Sequence, residues 1–187
     1  PLNKINKIFW LVNNIIHNVL PYKTDNNLAI KNLPFNYSDI SLNIKEREIK
    51  GSPARALSDL FWINFPWKLL SDDLAEKLSI IEIGCGTGKY GYLLSKIIGN
   101  KMVSYTGIDI FENRNWSLLR KDKRFSFYVS NAIDIEEYLH GKNVIITQSA
   151  IEHFKYDLTF FEKIQNYVKN SKKTIYNIHL MPASLCI

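Results

Sequence analysis

Ile80-Ile81-Glu82-Ile83-Gly84-Cys85-Gly86-Thr87-Gly88-Lys89-Tyr90-Gly91 is the stretch that decides the fold. A strand-compatible run enters three glycines at alternate positions, and a helix-like pattern follows at once. A strand that turns sharply through glycines into a helix is the phosphate- or nucleoside-binding corner of an α/β sheet. Glycine is needed there because the backbone adopts conformations closed to other residues and must approach a ligand without a Cβ in the way. Part of the stretch, Gly86-Thr-Gly88-Lys-Tyr-Gly91, also fits the G-x-G-x-x-G dinucleotide fingerprint. A P-loop is set aside: the spacing is one residue short, and Tyr90 stands where Ser or Thr must bind magnesium.

Three further segments lie downstream. Val103-Ser-Tyr-Thr-Gly-Ile-Asp109 is a strand ending in an acid, about 20 residues past the glycines. An acid at that place accepts hydrogen bonds from both ribose hydroxyls of a nucleoside, with Ile110 beside it, and this supports a nucleoside cofactor without choosing one. Phe125 to Ser130 reads as a third strand, followed by Asn131-Ala132 and then Asp134. Asn143-Val-Ile-Ile-Thr-Gln148 is a fourth, followed by Ser149-Ala-Ile-Glu152-His153.

Glu82-x-Gly84-x-Gly86-x-Gly88 resembles the first motif of class I S-adenosylmethionine-dependent methyltransferases, and the S-x-x-E-H stretch is similar to the fourth-strand motif of many small-molecule members. The resemblance covers roughly residues 79–155. It implies a Rossmann-like, doubly wound parallel sheet of order 3-2-1-4-5 and S-adenosyl-L-methionine as cofactor. It also implies cofactor contacts at Glu82, Gly84, Cys85, Gly86, Gly88, Asp109, Ile110, Asn131, Ala132, Gln148 and Ser149. In the family the acid matching Glu82 orders the glycine loop and lies near the methionine amino group. The family's adenine-reading acid is replaced here by Asn131, whose side-chain oxygen can still accept from an amino group. A charge inside a buried parallel strand fits a dinucleotide enzyme poorly. A nicotinamide-dependent oxidoreductase therefore stays as the alternative, together with a non-catalytic methyltransferase-like binding subunit.

The chain has 187 residues, 46% apolar and 13% aromatic, which is globular rather than disordered. Two cysteines cannot build a disulfide framework and, with four histidines scattered, give no zinc pattern. A reducing, cytoplasmic setting is the natural expectation. No apolar run reaches the length of a membrane span. Net charge is +6; residues 1–76 hold 9 basic and 8 acidic residues, and residues 77–187 hold 15 and 10. The excess gathers at Arg114, Arg120, Lys121, Lys123 and Arg124, which we read as a solvated face. No RNA-binding motif accompanies it, and no nucleic-acid partner is expected.

Ile5 to Leu20 places Ile5, Ile8, Phe9, Val12, Ile15, Ile16, Val19 and Leu20 on one helical face, with asparagines on the other. Such a helix packs on the domain or on a partner subunit, as in a homodimer. After a polar stretch from Tyr22 to about Lys50, Ser52-Pro53 starts a helix that Pro66 ends, and a second helix is expected over 71–78 with Ser71 as cap. Beyond residue 76, strands are expected near 79–84, 103–109, 125–130, 143–148 and 173–179. Helices are expected near 89–98, 112–121, 134–140 and 156–169. The organisation expected is an N-terminal helical extension or lid, 1–76, and a cofactor-binding domain, 77–187. The family's sheet continues past its fifth strand, so a C-terminal truncation is expected, as Pro1 in place of Met also hints.

Transfer of a sulfonium methyl to a small-molecule acceptor is an in-line displacement that needs alignment and dehydration. His153 is the candidate base for a hydroxyl acceptor, with Glu152 to orient it. His179 is a second candidate, and His17 and His140 read as structural. Phe61, Trp62, Phe65 and Trp67 form an aromatic group, at least half of it core; Trp62 is the candidate to face the acceptor and Arg55 to hold an acidic group on it. Residues 51–59 loosely resemble methyltransferases of bacterial surface-polysaccharide clusters, which implies a sugar or sugar-nucleotide acceptor.

Overall fold

Leu78–Ile83 (β1) buries all six of its side chains, as a strand covered by helices on both faces must. It pairs in parallel with Met102–Asp109 (β2) on one side and Val144–Gln148 (β4) on the other. Phe125–Val129 (β3) lies outside β2 and Tyr176–Leu180 (β5) outside β4, giving the order β3-β2-β1-β4-β5. This is the doubly wound order that the methyltransferase resemblance implies. The computed structural model describes residues 8, 9, 11, 12, 15, 16 and 53–181.

Period-two alternation along the strands sends side chains to two cores. On one face Ile80, Tyr105, Phe127 and Ile146 meet Pro53–Asn64 (α1), Trp67–Leu74 (α2) and Lys89–Ile98 (α3). On the other face Ile81, Ile83, Ile108 and Ile145 meet Glu136–Leu139 (α5) and Asp157–Ser171 (α6). The described helices α1 and α2 thus share a core with the sheet. Salt bridges Lys101–Asp72 (2.9 Å) and Lys173–Glu76 (2.8 Å) and a Tyr176–Asp73 hydrogen bond fasten α2 and the turn after it at the rim.

Several boundaries differ from expectation for local reasons. The helix expected from Ser71 starts at Trp67: Pro66 breaks α1 and opens α2, and Ser71 lies inside α2, buried, its hydroxyl donating to the Glu76 carbonyl. The helix expected over 112–121 shrinks to Trp116–Leu119 (α4). Asn113 Oδ1 takes the Asn115 N–H before it, and Asp122 Oδ1 takes the Arg124 N–H after it, so side-chain turns replace helical bonds at both ends. The same device at Asn131, whose Oδ1 accepts from the Ile133 N–H, delays α5 to Glu136. Of the N-terminal helix, Ile8, Phe9, Leu11, Val12, Ile15 and Ile16 are helical and exposed. The stretch from Tyr22 to Lys50, Ser52 and His17 lie outside the described residues.

Candidate functional site

The glycine turn hangs from the end of β2. Gly84 and Cys85 both donate their N–H groups to the Ile108 carbonyl, at 2.8 and 3.0 Å, and Gly88 donates to the Cys85 carbonyl at 2.8 Å. Gly84, Gly86 and Gly88 all have positive φ, at +77°, +51° and +75°. Two of them are also sterically obligatory: a Cβ on Gly84 would stand 2.4 Å from the Ala150 Cβ, and one on Gly88 2.7 Å from the Phe127 ring. The turn is closed from outside as well. The Trp116 indole donates to the Gly86 carbonyl (2.9 Å), and Asp109 Oδ2 accepts from the Gly86 N–H (2.7 Å).

Under this turn lies Glu82, 1% exposed. The Tyr105 hydroxyl donates to its Oε2, while its buried Oε1 has no hydrogen-bond partner. Burial pushes the Glu82 carboxyl up to about 8; the Tyr105 hydrogen bond opposes this, and the Asp109 charge adds to it. Burial first, and then the neighbouring Glu82, pushes the Tyr105 phenol well above its ordinary range. The Cys85 thiol is likewise pushed far up, by burial first and then by the charges of Glu82 and Asp109.

Across the C-terminal ends of β1, β2, β3 and β4 opens a cavity of about 410 Å³ with mostly apolar walls. It brings together Gly84, Asp109, Ile110, Asn131, Ala132, Ser149 and His153 from the expected site, with Lys155 and Tyr156 on the far lip. Asp109 stands half-buried at its edge, its Oδ1 3.4 Å from the Phe111 N–H, so one carboxylate faces both the turn and the cavity. Ser149 has φ +48°, an unusual conformation for a residue with a Cβ. The arrangement offers a carboxylate for hydroxyls, an amide oxygen at Asn131 for N–H groups, and an apolar slot for a flat ring.

Other expected residues are not in this cavity. Gln148 is buried and joins α1 to β4: its Oε1 accepts from the Trp62 indole (2.7 Å), and its Nε2 donates to the hydroxyls of Ser58 and Ser149, both at 2.9 Å. Trp62 has no exposed surface and stacks on Trp67 with ring centroids 5.8 Å apart. It is therefore corrected to a core residue, with no free face for an acceptor. Arg55 is exposed on α1, and Glu152 is exposed on the turn that carries His153. His179 faces away from the cavity, on the side of α6, and its Nδ1 pairs with the Thr147 hydroxyl (3.0 Å). Arg120 and Arg124 of the basic group do structural work, binding the Phe127 carbonyl and forking onto Asp122. Among the described residues no helix is long and apolar enough to cross a membrane, and no group of His, Cys, Asp or Glu is arranged to hold a metal.

Two contributors escaped sequence reasoning. Tyr105 and Trp116 act across 23 and 30 residues of chain, where no linear pattern points. Gly91 carries the signal for the first: a Cβ there would stand 2.4 Å from the Tyr105 ring, so this fourth glycine makes room for the tyrosine.

No family profile matches the chain. Arsenite methyltransferase of Rattus norvegicus is 26% identical over 108 residues, which are 56% of this chain and 28% of the relative. The plantazolicin methyltransferase BpumL, solved in complex with a pentazolic desmethylPZN analog and SAH, superposes with a TM-score of 0.52. Its identity is 21% over 76% of this chain and 52% of its own length. The chain thus spans about half the length of that structure and under a third of the curated relative. The likeness establishes the fold, the Rossmann-like architecture of class I methyltransferases.

Proposed function

We propose that the chain binds S-adenosyl-L-methionine and transfers its methyl group to a small-molecule acceptor. The observation that carries this reading is the cavity at the strand ends, where Gly84 of the glycine turn, Asp109, Asn131, Ala132 and Ser149 converge beside His153. Its residues fit the cofactor. Asp109 would take the ribose hydroxyls, Asn131 and Ala132 with Ile110 would flank the adenine, and Glu82, Cys85, Gly86 and Gly88, which do not line the cavity, would hold the turn that carries Gly84. The likeness to two methyltransferases, one solved with SAH, supports the same choice.

The cofactor would supply an already activated methyl group, so the protein's share is binding, orientation and exclusion of water. His153 lines the cavity and is placed to accept a proton from an acceptor hydroxyl, with Glu152 next to it on the same turn. Residues 1–76 act as a helical extension over the strand ends, which the α1–Gln148 bonds support, with Arg55 on that helix available to an acidic acceptor group. The finer reading, a sugar or sugar-nucleotide acceptor, rests on the resemblance of residues 51–59. A homodimer through the exposed apolar stripe at Ile8, Val12 and Ile15 belongs to the same reading.

Calorimetric titration with S-adenosylmethionine, SAH and NAD tests it. Micromolar binding of the two sulfur nucleosides, lost in Asp109→Ala, is expected. Binding of NAD alone, or of none of the three by a folded chain, overturns it. Labelled-methyl transfer to panels of sugars and sugar nucleotides then tests the acceptor. Cofactor binding without any methylated product would favour the non-catalytic binding subunit.

A further inference from the structure

Two cavities meet the glycine turn from different sides. The strand-end cavity takes Gly84; an outer one takes Thr87 and shares no wall residue with the first. This outer cavity, of about 540 Å³, lies between α3, α4 and the start of β3 and has mostly apolar walls. Lys89, Tyr92 and Lys96 line it from α3, at the i, i+3, i+7 spacing that puts three side chains on one helical face. Lys121 lines it from the turn after α4. All three lysines are exposed, and none has a carboxylate partner among the described residues, whereas Lys101, Arg120, Arg124, Lys163 and Lys173 each pair with an acid. The acid in the wall, Asp122, is already taken. Arg124 forks onto both its oxygens at 2.7–3.1 Å and holds its carboxyl below the usual range.

The wall therefore carries an excess of positive charge beside low-dielectric surface, and a concavity of that kind concentrates anions. It also offers apolar contact. Tyr92 and Leu118 are 51% and 63% exposed, and the Lys96 ammonium lies 5.2 Å from the Tyr92 ring centroid, so cation and ring stand side by side. Lys89 and Lys96 are two turns apart, about 10 Å of helix axis, a spread that two linked phosphates meet better than one. We infer that this outer cavity is a second ligand site, for an organic diphosphate: the phosphates lie among Lys89, Lys96 and Lys121, and the ring they carry lies against Tyr92 and Leu118. Lysine meets phosphate as a point charge, and the cavity volume is that of a small-molecule site. The site goes beyond the methyl-transfer reading and does not depend on it, since the two cavities have separate walls. The basic run read from the sequence as a solvated face thus divides by role. Arg120 and Arg124 hold local structure, Lys123 stands outside the cavity wall, and Lys121 serves the site.

Calorimetric titration of the full chain with uridine diphosphate, which has no adenine, tests this, with and without saturating SAH. One molecule is expected to bind per chain. Lys96→Ala and Lys121→Ala should each weaken it about tenfold, the size of one charge-assisted hydrogen bond. Lys123→Ala and Asp109→Ala should leave it unchanged. Tyr92→Ala should weaken uridine diphosphate about fivefold, the scale of one base–aromatic contact, and leave inorganic pyrophosphate unaffected. All the lysine and tyrosine substitutions fall on exposed side chains, and unchanged melting temperatures verify that the fold is kept. Equal losses in Lys121→Ala and Lys123→Ala would reveal diffuse attraction to a basic surface and overturn the inference. Loss of binding in Asp109→Ala, or on adding SAH, would put the diphosphate in the strand-end cavity and overturn it too. Failure to bind uridine diphosphate at millimolar concentration also overturns it, and heparin binding in its place would mark the face as a polyanion surface. A chain that binds uridine diphosphate in the expected pattern but neither S-adenosylmethionine nor SAH keeps this inference and sinks the cofactor reading.

Discussion

The two faces of the sheet are packed by different chemistry. Under α1, α2 and α3 the core is aromatic: Trp62, Trp67, Tyr90, Tyr105, Trp116, Phe125 and Phe127 are all buried there. Under α5 and α6 it is chiefly isoleucine, with Phe160 the one fully buried ring. Aromatic side chains with polar tips do two things at once, filling volume and fixing a hydrogen bond at the end of a rigid lever. The levers here end on Glu82, Gln148 and the Gly86 carbonyl, all at or under the ligand corner. The aliphatic face only fills space, and the cavity opens at its top, between Ile83, Ile108 and Ile133. One face thus holds the corner in shape while the other leaves it room.

That contrast can be broken by experiment. The largest effect is expected from Gly88→Ala, which forces a side chain into positive φ and against the Phe127 ring. About 3 kcal/mol of stability should be lost in urea melts, with ligand binding lost as well. Next comes pH. The carboxyl of Glu82 is raised in the folded state from 4.5 to about 8, so the folded chain holds an extra proton between those values. Its stabilising share is complete below about pH 4.5 and is lost as pH rises through 8. Melting temperature should fall across that window in wild type and not in Glu82→Gln. Trp62→Phe comes third: it strands the buried Gln148 oxygen, for about 1–2 kcal/mol, and through Gln148 and Ser149 should also weaken ligand binding. The smallest is Ile145→Val on the aliphatic face, expected to cost about 1 kcal/mol and to leave both ligand affinity and the pH profile unchanged. If Ile145→Val alters ligand affinity as much as Trp62→Phe does, the division of labour between the faces is wrong.

Much of this molecule was legible in its residues, and the rest was hidden for identifiable reasons. The strands follow from apolar runs that end in glycine or a polar residue, as at Ile83-Gly84 and Thr147-Gln148, while their order was what the methyltransferase resemblance implied. The convergence of Asp109, Asn131 and Ser149 follows from that order, because each closes a parallel strand on the same edge. Helix ends were less legible. Asparagine and aspartate side chains at Asn113, Asp122 and Asn131 satisfy backbone groups that a helix would otherwise use, so apparent helices there shrink to single turns. Pro66 was legible as a stop but not as a start, although a residue without an N–H suits both roles. Partnerships across the fold, Trp62 with Gln148 over 86 residues and Tyr105 with Glu82 over 23, depend on which face each side chain enters and leave no trace in spacing.

Cys85 gives the ligand corner a built-in clock. Its thiol is buried in the middle of the glycine turn and held far from ionisation, so a thiol reagent reaches it only when the turn opens. In a chain whose Cys186 has been replaced, the labelling rate of Cys85 would count those openings directly. The same rate, read at rising ligand concentration, would report how long the corner stays shut.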